Sequence, residues 1–294
     1  MERHELAWAA GFFEGEGWAN RTGRGVQARI NQAGPDDVPE VLLKFQRAVG
    51  VGRIKGPQIR ERRQPLYYWH ATSRSDIARL AELIGPWICR VKYAELTRTL
   101  ATRLPNPLWP AARHEELAWA GGFFDGEGCT YLEKHRTHPD FFVPRLYVPQ
   151  TSDTGIAPEL LRLRSALADL GTISGVRRDK GHGRPYRRWR VFTESDVQLG
   201  LHLLWPFIGE IKRSQAQGVM RVVHSQPALP RGNPAFGVAG ARYCLRGHDK
   251  WNARVRAYRS RGRSQVNDHL SQCLTCMREQ ARARRRDPRS EKLS

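Results

Sequence analysis

Two glutamates, Glu16 and Glu127, occupy the same place in near-copies of one segment. Glu5–Gly17 reads ELAWAAGFFEGEG and Glu116–Gly128 reads ELAWAGGFFDGEG, identical at 11 of 13 positions with a constant offset of 111. Taken as a helix, each copy puts its glutamate in the last turn, where the macrodipole is negative and a carboxylate is disfavoured. Small residues recur along one ridge: Ala7, Gly11 and Gly15, and again Ala118, Gly122 and Gly126. Glycine costs about 1 kcal/mol in a helix interior, so matched glycine ridges imply two helix backbones packed closely about a pseudo-twofold axis. That packing brings Glu16 and Glu127 together, and the pair then needs a proton or a cation. A divalent ion is the natural compensation. Carboxylate oxygens suit Mg²⁺ or Ca²⁺, Mg²⁺ accepts phosphate oxygens as further ligands, and water activated by the ion is a nucleophile for phosphodiester hydrolysis.

A second group of chemistry-bearing residues lies near the C-terminus. Cys244 and His248, then after 24 residues Cys273 and Cys276, supply three thiolates and one imidazole, a normal tetrahedral zinc set. His269 is an alternative fourth ligand. Between Arg231 and Ser294 there are 16 Lys or Arg against 5 acids, so residues 231–294 form a separate basic module whose small core needs such a staple. Its arginine-dense end, MREQARARRR, suits phosphate neutralisation and salt-dependent DNA binding. Cys89 and Cys129 stand apart and are expected to be buried small hydrophobes, and five cysteines so spaced make no disulfide framework.

The elements that position the glutamates also repeat. Gln32 matches Gln150 at offset 118, Gly52-Arg53-Ile54 matches Gly171-Thr172-Ile173 at 119, and Trp69, Asp76, Pro86 and Lys92 match Trp189, Asp196, Pro206 and Lys212 at 120. Stepwise growth of the offset marks loop insertions between elements of constant length. Two units follow, 1–102 and 114–224, joined by a proline-rich linker at 103–113. In the first, apolar spacing predicts a helix over about 5–16 ended by Gly17, strands at 26–30 and 67–71, and helices at 37–49, 75–84 and 87–100. The order is helix, hairpin, helix, hairpin, helix, helix, an α+β unit present twice. Trp69, Trp189, Phe12, Phe13, Phe123 and Phe124 are expected in the cores.

Composition bounds the partner. The 294 residues carry 49 Lys or Arg against 29 acids, a net charge of +20, with 40% apolar residues. That excludes a disordered or fibrous chain and points to a polyanion, nucleic acid first. No stretch is apolar enough to span a bilayer and no secretory pattern opens the chain, so a soluble, intracellular, cytoplasmic protein is expected.

On these residues the sequence resembles the LAGLIDADG homing endonucleases of the single-chain type: GFFEGEG and GFFDGEG are similar to their two signatures, and the likeness runs over about residues 4–222. The resemblance implies two αββαββα repeats whose sheets form a saddle over double-stranded DNA, acting as a monomer on one long asymmetric site. It implies that Glu16 and Glu127 hold the catalytic Mg²⁺ or Mn²⁺, with Ca²⁺ a non-productive substitute. Glu14, in place of the usual Asp, and Asp125 become structural. Gln32, Gln150, Lys92 and Lys212 surround the attacking water, with Arg90 a rival of Lys92. Sheet residues read base edges, and the candidates are Arg29, Arg60, Arg62, Arg63, Arg177, Arg178, Lys180, Arg187, Arg188 and Arg190. YCLRGHDKWN followed by CLTC resembles small zinc modules found beside endonuclease domains. The alternative is a DNA- or RNA-binding protein on the same scaffold without cleavage, a regulator or an intron maturase.

Overall fold

A computed structural model describes residues 2–226 apart from 24, 35–36, 60, 62–63, 103, 105–110, 136–139, 153–154 and 179–183. Cys244, His248, Cys273 and Cys276, with Arg60, Arg62, Arg63 and Lys180, lie outside the described residues.

The first half runs α1 (Arg3–Glu16), β1 (Gly17–Thr22), β2 (Gly25–Ala33), α2 (Glu40–Val49), β3 (Arg53–Gln58), β4 (Leu66–Ala71), α3 (Arg74–Ile84) and α4 (Arg90–Leu100). The second repeats it as α5 (Arg113–Glu127), β5 (Cys129–Lys134), β6 (Phe142–Thr151), α6 (Pro158–Ala166), β7 (Thr172–Ile173), β8 (Tyr186–Val191), α7 (Glu194–Leu204) and α8 (Glu210–Ser225). Each half builds one antiparallel four-stranded sheet, in the orders β1-β2-β4-β3 and β5-β6-β8-β7. No described helix is long and apolar enough to cross a membrane.

Two boundaries differ from the sequence expectation. The helix predicted from Asp37 begins at Glu40, because Pro39 takes the N-cap place with extended backbone. The helix predicted over 87–100 is a 3₁₀ turn at Gly85–Trp87, around Pro86, followed by α4 from Arg90. Gly17 ends α1 as expected, with φ of −81° in extended backbone. What requires glycine there is crowding: a Cβ at Gly17 would stand 2.3 Å from the Phe13 ring, and one at Gly128 2.3 Å from the Phe124 ring.

Alternation along the strands gives each sheet a covered and an open face. Ala28 and Ile30 of β2, and Trp69 and Ala71 of β4, are buried under the helices, while Arg29 and Asn31 face the other way beside Tyr68 and His70. Trp69 and Trp189 are fully buried and donate from Nε1 to the Val51 and Leu170 carbonyls at 2.9 and 2.8 Å. Phe12, Phe13, Phe123 and Phe124 are likewise buried, each ring contributing about 1.5–3 kcal/mol by leaving water. Cys89 and Cys129 are half-buried as whole residues, with the Cys89 sulfur turned into the interior.

The halves meet along α1 and α5. A pair of cations reinforces the joint with twofold correspondence. Lys44 lies 4.0 Å over the Trp8 ring and donates to the Phe207 carbonyl of the second half at 2.7 Å. Arg162 lies 4.1 Å over the Trp119 ring and donates to the Trp87 carbonyl of the first half. Arg162 also forms a buried two-bond pair with Glu116 at 2.9 and 3.0 Å.

Candidate active site

Glu16 and Glu127 are the last residues of α1 and α5, and the glycine ridges bring them together. A Cβ on Gly15 would lie 3.1 Å from Cγ of Glu127, and one on Gly126 would lie 3.1 Å from Cγ of Glu16. Each glutamate is therefore seated against the glycine that precedes its counterpart. Burial pushes the Glu16 carboxyl above its ordinary value, opposed by a hydrogen bond from the Gln32 side chain and by the charge of Lys212. Glu127 is pushed up to about 7, first by burial and then by the charge of Glu16, with Lys212 and Lys92 opposing. Two half-buried oxygen donors that resist joint ionisation fit a hard divalent cation, which would remove both penalties at once.

The earlier acids of the motifs do a different task. Glu14, almost fully buried, accepts the Cys89 N–H at 2.7 Å, and Asp125 accepts the Gly209 N–H at 2.8 and 2.9 Å. Cys89 and Gly209 immediately precede α4 and α8, so each acid clamps a helix N-terminus, where the macrodipole favours an anion. Asp125 also accepts from Nε1 of Trp8 at 3.0 Å, whereas Nε1 of Trp119 has no hydrogen-bond partner among the described residues.

The clamped helices carry the two lysines. Lys92 Nζ donates to the Gly17 carbonyl and Lys212 Nζ to the Gly128 carbonyl, both at 2.5 Å. Each ammonium is thereby fixed one residue past a motif glutamate. Arg90 is exposed. The Gln32 side chain favours the charged form of Glu16, and no such contribution from Gln150 acts on Glu127. The halves are thus not equal in detail.

The open faces of the sheets are arginine-rich. Arg29 stacks 3.7 Å over the Tyr68 ring and donates to Asn31 Oδ1 at 2.6 Å. Arg188 lies 5.2 Å over Tyr147, and Arg190 4.9 Å over Phe192 with a bond to Tyr131 Oη at 3.1 Å. Arg145 pairs with Glu133 at 2.6 Å. Arg187 instead shares the face of Trp189 and is used by the Gly155 and Ser174 carbonyls, so alternation separates it from Arg188 and Arg190. Arg177 and Arg178 are exposed beyond β7.

No family model matches the chain, and no curated protein is significantly similar to it in sequence. Solved structures do match. The LAGLIDADG meganuclease I-AabMI, bound to uncleaved DNA, superposes with a TM-score of 0.52 at 16% identity, over 76% of this chain and 91% of that one. The LAGLIDADG homing endonuclease I-GzeII, in complex with its DNA target, superposes with a TM-score of 0.52 at 12% identity, over 74% and 89% of the two chains. The fold is that of the LAGLIDADG homing endonucleases.

Two features of this LAGLIDADG fold escaped the sequence reading. Ligand-type atoms of Glu14, Cys89 and Glu159 lie within 4.8 Å of one another in the interior. Burial drives Glu14 to about 8 there, with the charge of Glu159 adding to the rise, so a proton already answers that charge. Glu159 comes from α6 and no motif marked it. The other feature is Glu95, one turn beyond Lys92, which pairs with the Lys92 ammonium at 3.3 Å. Its counterpart at offset 120 is Gln215, and that difference is visible in the sequence once the lysines are aligned.

Proposed function

We propose that the protein is a site-specific DNA endonuclease of the homing type, hydrolysing one phosphodiester in each strand of a long asymmetric duplex site. The observation that carries this is the reciprocal seating of Glu16 and Glu127 on Gly126 and Gly15, which gathers two carboxylates at adjoining helix ends. Mg²⁺ or Mn²⁺ held by these two side chains would supply Lewis-acid polarisation of the phosphate and a readily ionised water. Gln32, whose side chain favours the charged form of Glu16, would steady that carboxylate. Lys92 and Lys212, fixed by the Gly17 and Gly128 carbonyls, present ammonium charge where negative charge grows on the phosphate. Arg29, Arg188 and Arg190 on the open sheet faces suit the edges and phosphates of a duplex. Both halves reside in one chain, so a monomer supplies both cutting centres.

A plasmid library incubated with the full chain and Mg²⁺ tests this directly. Linearised plasmids from the parent, and none from Glu16→Gln or Glu127→Gln, are expected. Undiminished cutting by both variants removes the site assignment, and binding by the parent without cutting favours the regulator or maturase reading. The spacing of Cys244, His248, Cys273 and Cys276 supports one structural Zn²⁺ in the basic tail. Elemental analysis should find one zinc per chain, lost in Cys273→Ser.

A further inference from the structure

The two lysines at the candidate cutting centres are anchored alike but differ in what surrounds them. Lys92 Nζ bonds the Gly17 carbonyl and is also within 3.3 Å of Glu95 Oε2, in an ion pair shielded on both sides at 16% and 19% side-chain exposure. Lys212 Nζ bonds the Gly128 carbonyl, and the residue one turn on is the neutral Gln215. An ammonium has three donors. Two of those on Lys92 are used within the protein, and its charge is answered by a carboxylate held close by. Lys212 has one so used among the described residues, and its charge reaches both Glu16 and Glu127, whereas that of Lys92 reaches only Glu127 of the two.

Glu95 and Gln215 do the same structural task. Glu95 Oε1 accepts the Ala19 N–H, and Gln215 Oε1 accepts the Thr130 N–H at 3.4 Å, residues that correspond at the motif offset of 111. The second half therefore shows that a glutamine can hold this strand edge. The charge on Glu95 is surplus to that task, and its remaining consequence falls on Lys92.

Resting on the endonuclease reading, we infer that Glu95 is a positioning residue that damps Lys92 and makes the two cutting centres unequal, so that the strand served by Lys92 is cut more slowly than the strand served by Lys212. A centre whose lysine keeps more free donors and unanswered charge stabilises a developing phosphorane better, since only interactions that strengthen in the transition state raise the rate. The protein would nick one strand first and complete the break second.

The experiment uses the full chain, Mg²⁺ and a duplex carrying the site that the parent cuts, with each strand end-labelled separately. The parent is expected to nick the strands at unequal rates. Glu95→Gln, which copies the second half, should raise the slower strand about three- to tenfold, the scale of one ordinary hydrogen bond, and leave the faster strand unchanged. Gln215→Glu should slow the faster strand by a similar factor. Glu95→Asp, which keeps the charge, should retain the parental bias. A purely structural Glu95 would change both strands together. Equal parental rates, or equal effects of Glu95→Gln on both strands, overturn the inference while leaving the endonuclease reading in place. A parent that cuts no duplex overturns that reading, and this inference with it.

Discussion

Gly11 meets the main chain of Trp119 so closely that a Cβ there would stand 2.0 Å from the Trp119 carbonyl oxygen, and the reciprocal distance from Gly122 to the Trp8 carbonyl oxygen is 1.9 Å. The obstacle is backbone in the centre of a packed interface, where no side chain can rotate away. Gly11→Ala or Gly122→Ala must therefore part the motif helices. The expected cost is about 3 kcal/mol or more, at the upper end of overpacking penalties, with loss of cutting because Glu16 and Glu127 separate. Gly218 in α8 is the control, since nothing among the described residues lies within 4 Å of a Cβ there, and Gly218→Ala should stabilise by about 0.5–1 kcal/mol. Urea unfolding of the three variants checks the ordering, and an unchanged midpoint for Gly11→Ala would contradict the interface.

Stability without metal should fall as pH rises, and Glu14 should contribute much of the slope. Burial lifts its carboxyl from an ordinary 4.5 to about 8, so between those values the folded chain keeps a proton that the unfolded chain releases. Raising the pH then favours unfolding by up to about 1.4 kcal/mol per pH unit for this one group, levelling off above 8. Asp125, lifted from 3.8 to about 6, adds a similar slope in the lower window. Glu14→Gln keeps an acceptor for the Cys89 N–H and has no proton to lose. The variant should be more stable than the parent at pH 8, with the gap closing toward pH 5. A gap that does not vary with pH would show that Glu14 is ionised throughout.

Much of this arrangement was legible in the sequence because duplication supplies its own control. One acidic residue at a helix end says little, but Glu16 and Glu127 on matched glycine ridges specify which helices touch and what meets at their ends. Gln32, Lys92 and Lys212 followed from the resemblance, and the two lysines are bonded to the carbonyls of Gly17 and Gly128, next to the motif glutamates. What the sequence does not carry is where long side chains end and which elements of opposite halves touch. Gln150 has the position of Gln32 without its effect on the neighbouring glutamate, since strand register alone does not determine where a long side chain ends. Arg187 looked equivalent to Arg188 and Arg190 until alternation about Trp189 put it on the other face. Glu159 joins Glu14 through packing of α6 from the opposite half, a relation with no local signature.

The lysines should matter for cutting far more than for binding. Each is anchored by a backbone carbonyl beside a motif glutamate, and neither lies on an open sheet face. Lys212→Met should lower the single-turnover cutting rate about 100-fold or more, the usual scale for losing a group that stabilises transition-state charge. Lys92→Met should cost less, because its charge is already partly answered by Glu95. Affinity for the duplex measured in Ca²⁺ should change by less than about threefold in both. If affinity and rate fell together, the lysines would be binding residues and the helix tips would lose their chemical role.

Arginines of the open faces should show the converse behaviour, and aromatic stacking lets two of them be singled out. Arg29 is held flat on Tyr68 with one donor committed to Asn31, and Arg188 lies over Tyr147, so each guanidinium is held in orientation before DNA arrives. A preoriented fork reads a base edge at a lower entropic cost than a free arginine on the surface. Arg29→Ala and Arg188→Ala should each weaken binding to the cognate site by about 1–3 kcal/mol and relax base preference at one or two positions, in opposite halves of the site. Arg177→Ala, lacking such support, should weaken all sequences equally and lower the salt dependence by about one phosphate's worth. Binding selections with randomised duplexes at two salt concentrations distinguish the outcomes. A uniform loss for Arg29→Ala would reassign that arginine from base reading to phosphate contact.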